Sequence, residues 1–147
     1  MDYLKIKLNG SDNKEHTLKE FKTKMILYFY PKDNTPGCSM EAQEYSSYKD
    51  DFEKVGYKII GVSRDSIKSH LKFIDKMKIN FLLLSDENEE LCKAFNVLKE
   101  KNMFGKKSIG VERSTFILNE NGEIVHEFRK VKAAGDAKRM LDLVNEE

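Results

Sequence analysis

Met25-Ile26-Leu27-Tyr28-Phe29-Tyr30-Pro31-Lys32-Asp33-Asn34-Thr35-Pro36-Gly37-Cys38 changes character partway along. Residues 25–30 are an unbroken apolar run whose length and aromatic content suit a central strand buried on both faces. Pro31 ends the run, because proline has no N–H to give to a central ladder. Residues 31–37 are polar loop, with Pro36-Gly37 as a turn signal. After Cys38 the pattern turns helical: Ala42, Tyr45, Tyr48, Phe52 and Val55 recur at spacings of three or four, and Gly56 supplies a C-terminal cap.

Working outward, residues 57–62 read as the next strand. Asp65 is the expected N-cap of a helix that carries Ile67, Leu71, Ile74 and Met77 on one face. Residues 81–84 form another buried strand, and Ser85-Asp86 opens a helix with Leu91, Cys92 and Phe95 on one side. Residues 96–112, rich in lysine and interrupted by glycine and asparagine, are expected to be irregular. Residues 114–118 are a strand, 119–122 a turn, and 123–128 alternate as a half-exposed hairpin strand does. Residues 136–145 close the chain as an amphipathic helix with Ala137, Met140, Leu141 and Val144 inward. Upstream, Leu4, Ile6 and Leu8 alternate as a short half-buried strand, 9–13 form a turn, and 17–21 a short helical turn. Strands alternating with helices predict an α/β fold with a mixed central β-sheet flanked by helices on both faces.

The 147 residues fit one domain, 1–147, and the 39% hydrophobic share is enough to fill its core. The 26 basic and 25 acidic groups nearly cancel, which argues against a dedicated nucleic-acid binder. No apolar run approaches the roughly 20 residues that span a membrane. Met1-Asp2-Tyr3-Leu4-Lys5 shows no basic stretch leading into an apolar block, so the expected compartment is the cytoplasm. There, two cysteines 54 positions apart are expected to be reduced. His16, His70 and His126 are dispersed, and neither a metal site nor a cofactor is expected.

Cys38 is placed to be reactive. A residue in the first turn of a helix faces unpaired N–H groups and the positive end of the helix dipole, which favour a thiolate and can hold an incoming oxygen. A nearby hydroxyl, such as that of Thr35, can orient a peroxide. A guanidinium can hold both the thiolate and the peroxide oxygens with fixed donors. With 22 of the 26 basic residues lysine, the candidates are Arg64, Arg113, Arg129 and Arg139; Arg113 directly precedes the strand at Ser114 and so stands at a strand end.

The run Pro31-Lys-Asp-Asn-Thr35-Pro-Gly-Cys38 is similar to the Pro-x-x-x-Thr-x-x-Cys motif of peroxiredoxins. Its fuller form, Tyr28-Phe-Tyr-Pro-x-x-x-Thr-Pro-Gly-Cys38 followed by Glu41, resembles the peroxiredoxin Q or bacterioferritin-comigratory-protein subfamily. The likeness continues through Gly61-Val-Ser-Arg-Asp65, Leu83-Leu-Ser-Asp-Glu87, Glu100-Lys101, Gly105-Lys106 and Gly110-Val-Glu-Arg113-Ser-Thr-Phe-Ile-Leu118. It implies a thioredoxin-like fold and a peroxidase acting on hydrogen peroxide or alkyl hydroperoxides. It makes Cys38 the peroxidatic cysteine, Thr35 and Arg113 its activating partners, Pro31 a shield against water, and Glu41 an orienting residue. Thioredoxin or another thiol would be the reductant, and the chain would be a monomer.

Many members of the subfamily carry a resolving cysteine five residues after the peroxidatic one; here that position is Gln43, and the remaining thiol is Cys92. Cys92 could resolve in the same chain, or the resolving thiol could come from outside or from a second subunit; the preferred reading is a one-cysteine cycle. A thiol-disulfide oxidoreductase would normally show Cys-x-x-Cys, where this chain has Glu41, and a binding module with a dead site would not be expected to keep Pro31, Thr35, Cys38 and Arg113. The lysines of 99–107 could dock a reductase.

Overall fold

The computed structural model describes residues 2–146. Strands β1 (Leu8–Gly10), β2 (Glu15–His16), β3 (Lys24–Phe29), β4 (Tyr57–Ser63), β5 (Leu82–Ser85), β8 (Ser114–Leu118) and β9 (Ile124–Phe128) form one sheet in the order β2-β1-β5-β4-β3-β8-β9. Strands β6 (Leu98–Met103) and β7 (Lys106–Val111) form a separate hairpin. The helices are α1 (Pro36–Lys54), α2 (Ile67–Met77), α3 (Glu90–Ala94) and α4 (Asp136–Asn145).

β3 lies inside the sheet because its apolar run has two faces to bury. It pairs in parallel with β4, Ile26 opposite Ile59, and antiparallel with β8, Phe29 opposite Ser114. Alternation then divides its side chains between two cores. Ile26, Tyr28 and Tyr30 pack with Tyr45 and Phe52 of α1, Phe73 of α2 and Met140 of α4. Met25, Leu27 and Phe29 pack on the other face with Leu91 and Cys92 of α3, with Phe95, and with Leu4 and Leu18 of two short 3₁₀ turns. The sheet is mixed and covered by helices on both faces, as expected.

Four local expectations are corrected. The alternation of Leu4, Ile6 and Leu8 is not one strand: residues 2–5 form a 3₁₀ turn, and the strand begins at Leu8. The N-cap of α2 is Ser66, whose side chain accepts from Ser69 N; Asp65 turns its carboxylate to the Asp33 N–H and the Ser63 hydroxyl. Of the expected face of α2, Ile74 and Met77 pack against the core but Leu71 is exposed, and the fully buried positions are His70 and Phe73, because the stripe includes a histidine that an apolar pattern skips. Helix α3 begins at Glu90, not at Ser85-Asp86; Asp86 instead caps it from a distance, accepting from the N–H groups of Leu91 and Cys92.

The largest difference is at 96–112. The stretch expected to be irregular folds as the β6–β7 hairpin, with Met103 opposite Lys106 across a two-residue loop. Phe104 and Gly105 both take positive φ (53° and 78°), the backbone of the tight turn whose twist matches two antiparallel strands. Most of β7 faces solvent, so no apolar alternation marks it.

Candidate active site

The end of β3, the loop after it and the first turn of α1 carry the peroxiredoxin-like motif. Thr35 is the N-cap of α1, Pro36 stands in the first turn, where its missing N–H costs nothing, and the helical ladder starts with Ser39 N donating to Thr35 O at 2.8 Å. Cys38 therefore lies in the first turn, and it is buried, with 1% of its surface exposed.

Arg113 reaches it because of strand register. With Ser114 paired to Phe29, the residue before β8 falls at the sheet end where Tyr30 gives way to Pro31. The guanidinium donates through Nη2 to Cys38 Sγ at 3.5 Å and through Nη1 to Glu41 Oε1 at 2.7 Å. Burial works against the Arg113 charge, but Glu41 and Cys38 beside it hold the proton firmly. Gly37 leaves the room this requires: a Cβ there would sit 3.1 Å from Nη2. Glu41 is fully buried one helical turn after Cys38, and burial, followed by the charge of Asp136, pushes its carboxyl well above the usual carboxylate range despite the opposing Arg113.

Thr35 donates from Oγ1 to Lys32 O at 2.8 Å, which ties the loop and leaves its oxygen lone pairs to accept. Pro31 is half-buried and lines, with Arg113, a groove of about 850 Å³ where Lys99, Lys101, Arg129 and Lys130 outnumber Glu100 and Glu112. Of the expected site residues, Arg113 is thus brought into contact with both Cys38 and Glu41, while Thr35 turns its hydroxyl to Lys32 O. Cys92 is elsewhere: it belongs to the core on the opposite face of the sheet, and burial, then the Asp86 charge, pushes its thiol far up.

The residues that anchor the loop carry no pattern in the sequence that marks them. Asp33 is buried and accepts from Tyr30 OH at 2.6 Å and Ser69 Oγ at 2.8 Å, and it pairs with His70 Nδ1 at 2.7 Å. The other ring nitrogen of His70 lies 3.0 Å from Leu84 O, which can only accept, so Nε2 carries a proton. Replacing Asp33 by alanine takes the acceptor from buried Tyr30 and His70 and from half-buried Ser69, and is expected to cost about 3 kcal/mol or more. Urea unfolding checks this, and a loss below about 1 kcal/mol would show that the clamp is not structural.

A peroxide is reduced when a thiolate attacks one oxygen while fixed donors take up the charge that develops on the other. Cys38 has a guanidinium in contact with its sulfur, on a sheet of thioredoxin-like order: the arrangement of a thiol peroxidase. Comparison with known proteins gives the family. The AhpC/TSA family model matches residues 3–127. Peroxiredoxin Bcp of Xanthomonas campestris is 52% identical over 117 residues, 80% of this chain and 73% of that protein. The solved peroxiredoxin Q of Xanthomonas campestris superposes with a TM-score of 0.94 at 44% identity, covering 99% of this chain and 92% of that one. A structure of the Xanthomonas campestris bacterioferritin comigratory protein, described for its alkyl peroxide reduction activity, gives a TM-score of 0.93 at 44% identity over 98% of this chain and 92% of that one. The chain belongs to the AhpC/TSA family and, within it, to the Bcp/PrxQ peroxiredoxins, which are thiol-dependent peroxidases.

Proposed function

We propose that the chain reduces hydrogen peroxide and alkyl hydroperoxides in a one-cysteine cycle centred on Cys38. The observation that carries this reading is the 3.5 Å contact of Arg113 Nη2 with Cys38 Sγ, with the second thiol packed behind the sheet. The Cys38 thiolate attacks the terminal peroxide oxygen, the O–O bond breaks, and the departing alkoxide or hydroxide takes a proton and leaves as alcohol or water. Arg113 and the N–H groups at the start of α1 stabilise the departing charge, Thr35 orients the peroxide, and Pro31 keeps bulk water from the sulfur. The sulfenic acid is then attacked by a thiol of thioredoxin or another reductant, releasing water, and a second external thiol frees Cys38.

Support for an external thiol comes from geometry. A disulfide needs Cα atoms roughly 4.4–6.8 Å apart, and Cys38 and Cys92 lie in cores on opposite faces of the sheet. The reductant approaches along the groove between Pro31, Arg113 and the lysines of β6, whose charge favours an acidic partner. One domain acting as a monomer in the cytoplasm completes the proposal; among the described residues no helix is long and apolar enough to cross a membrane. Cys92→Ala is expected to turn over peroxide within about twofold of the parent when an external thiol is supplied, a difference of about 0.4 kcal/mol. A loss of more than about tenfold in a folded variant would make Cys92 the resolving thiol.

A further inference from the structure

Beneath Arg113, two carboxyl groups from different helices meet in a dry place. Glu41 of α1 and Asp136 of α4 are both fully buried. Glu41 Oε1 accepts from Arg113 Nη1 at 2.7 Å. Asp136 Oδ2 accepts from Tyr45 OH at 2.7 Å and from Thr115 Oγ1 at 2.9 Å. The second oxygen of each group, Glu41 Oε2 and Asp136 Oδ1, has no donor, yet the two carboxyls lie within hydrogen-bonding reach of each other. Two bare carboxylates at that separation repel strongly, and both oxygens lack the hydrogen bond that a buried acceptor needs.

We propose that one proton bridges Glu41 and Asp136, and that Asp136 is thereby a positioning residue that leaves the Arg113 charge available to the Cys38 thiolate. A single proton accounts for both orphaned oxygens: Glu41 donates it toward Asp136 and still accepts from Arg113 through Oε1. Glu41 then orients the guanidinium without cancelling it. With the proton on Glu41, the negative charge of the pair sits on Asp136, one group removed from the guanidinium; an ionised Glu41 would put it in direct contact with Arg113, beside the sulfur. The neighbours do not alter this balance. Tyr28 of β3 offers a buried hydroxyl without a partner, and Tyr45 and Thr115 offer neutral hydroxyls already directed at Asp136. Glu44 of α1 is held by the Gly135 N–H at 2.8 Å. Arg139 of α4 stands 3.9 Å from Asp136 Oδ1, and its half-exposed side chain is screened by solvent. Burial and the adjoining carboxylate both favour the protonated form of Glu41.

The proposal rests on Cys38 being the reactive thiol, so the test separates the two. Infrared spectra of the full chain at pH 7 are expected to show the carbonyl stretch of a protonated carboxylic acid, absent from Glu41→Gln and from Asp136→Asn. In Asp136→Asn the new amide donates to Glu41 and leaves it ionised against Arg113, so iodoacetamide alkylation of Cys38 at pH 7 is expected to slow by about fivefold or more. A wild-type spectrum without that band overturns the shared proton. A folded Asp136→Asn protein alkylated at the parent rate overturns the positioning role. Should Cys38 prove not to be the peroxide-reactive residue, the band is still expected, and its presence distinguishes that failure from this one.

Discussion

Replacing Cys38 by serine is expected to reduce peroxide consumption to the rate of the thiol reductant alone. The substitution keeps the size of the side chain, and with it the buried seat at the start of α1 and the neighbouring guanidinium. What it removes is an atom that ionises and attacks oxygen: a serine hydroxyl stays protonated near neutrality, and Arg113 can assist only a nucleophile that exists. Cys92 offers no substitute, because burial and Asp86 hold it as a thiol on the far side of the sheet. The check is depletion of hydrogen peroxide under excess reductant, with circular dichroism to establish that the variant is folded. Turnover clearly above the protein-free rate would remove Cys38 from the chemistry.

Arg113→Ala is the second large effect. Its two contacts act together: Nη1 is fixed by Glu41, and that anchor aims Nη2 at the sulfur. Truncation takes away the positive charge beside the thiolate and the donor that would meet the departing oxygen, and it leaves Glu41 without its partner. The peroxide step is expected to slow by more than about tenfold, or about 1.4 kcal/mol. Lysine should restore only part of this, since one ammonium cannot present the guanidinium's paired, fixed donors to a carboxyl and a sulfur. Rapid-mixing kinetics of thiol loss isolates the step from recycling. Oxidation of the alanine variant at the parent rate would show that Arg113 is a bystander.

The part of the fold that places Cys38 was readable in the sequence because its signals are local. Residues 25–30 are apolar without alternation, Pro31 fixes where the strand stops, and a three-or-four spacing follows Cys38; the helix itself starts earlier than expected, since Pro36-Gly37, expected as a turn, are its first two residues. Arg113 was readable for a related reason: it abuts a second buried strand, so pairing that strand to β3 brings it to the same sheet end. The β6–β7 hairpin was not readable, because a ribbon wet on most of its surface has no hydrophobic period and its lysines resemble a loop. Asp33 and His70 were missed because a polar pair buried against each other looks, residue by residue, like two surface residues. Asp136 did leave a trace: it precedes Met140 and Val144 by one and two helical steps of four, which puts it on the inward stripe of α4. An acidic residue at that position is more readily read as a favourable charge at a helix start.

The most direct test treats the reduced protein with one equivalent of hydrogen peroxide, traps sulfenic acid with a selective carbon nucleophile, blocks remaining thiols and maps the peptides by mass. The predicted result is the sulfenic-acid adduct on Cys38 with Cys92 recovered as a free thiol. A peptide joining Cys38 to Cys92 would contradict the one-cysteine cycle, and a Cys38 left unmodified while peroxide disappears would contradict its assignment as the nucleophile.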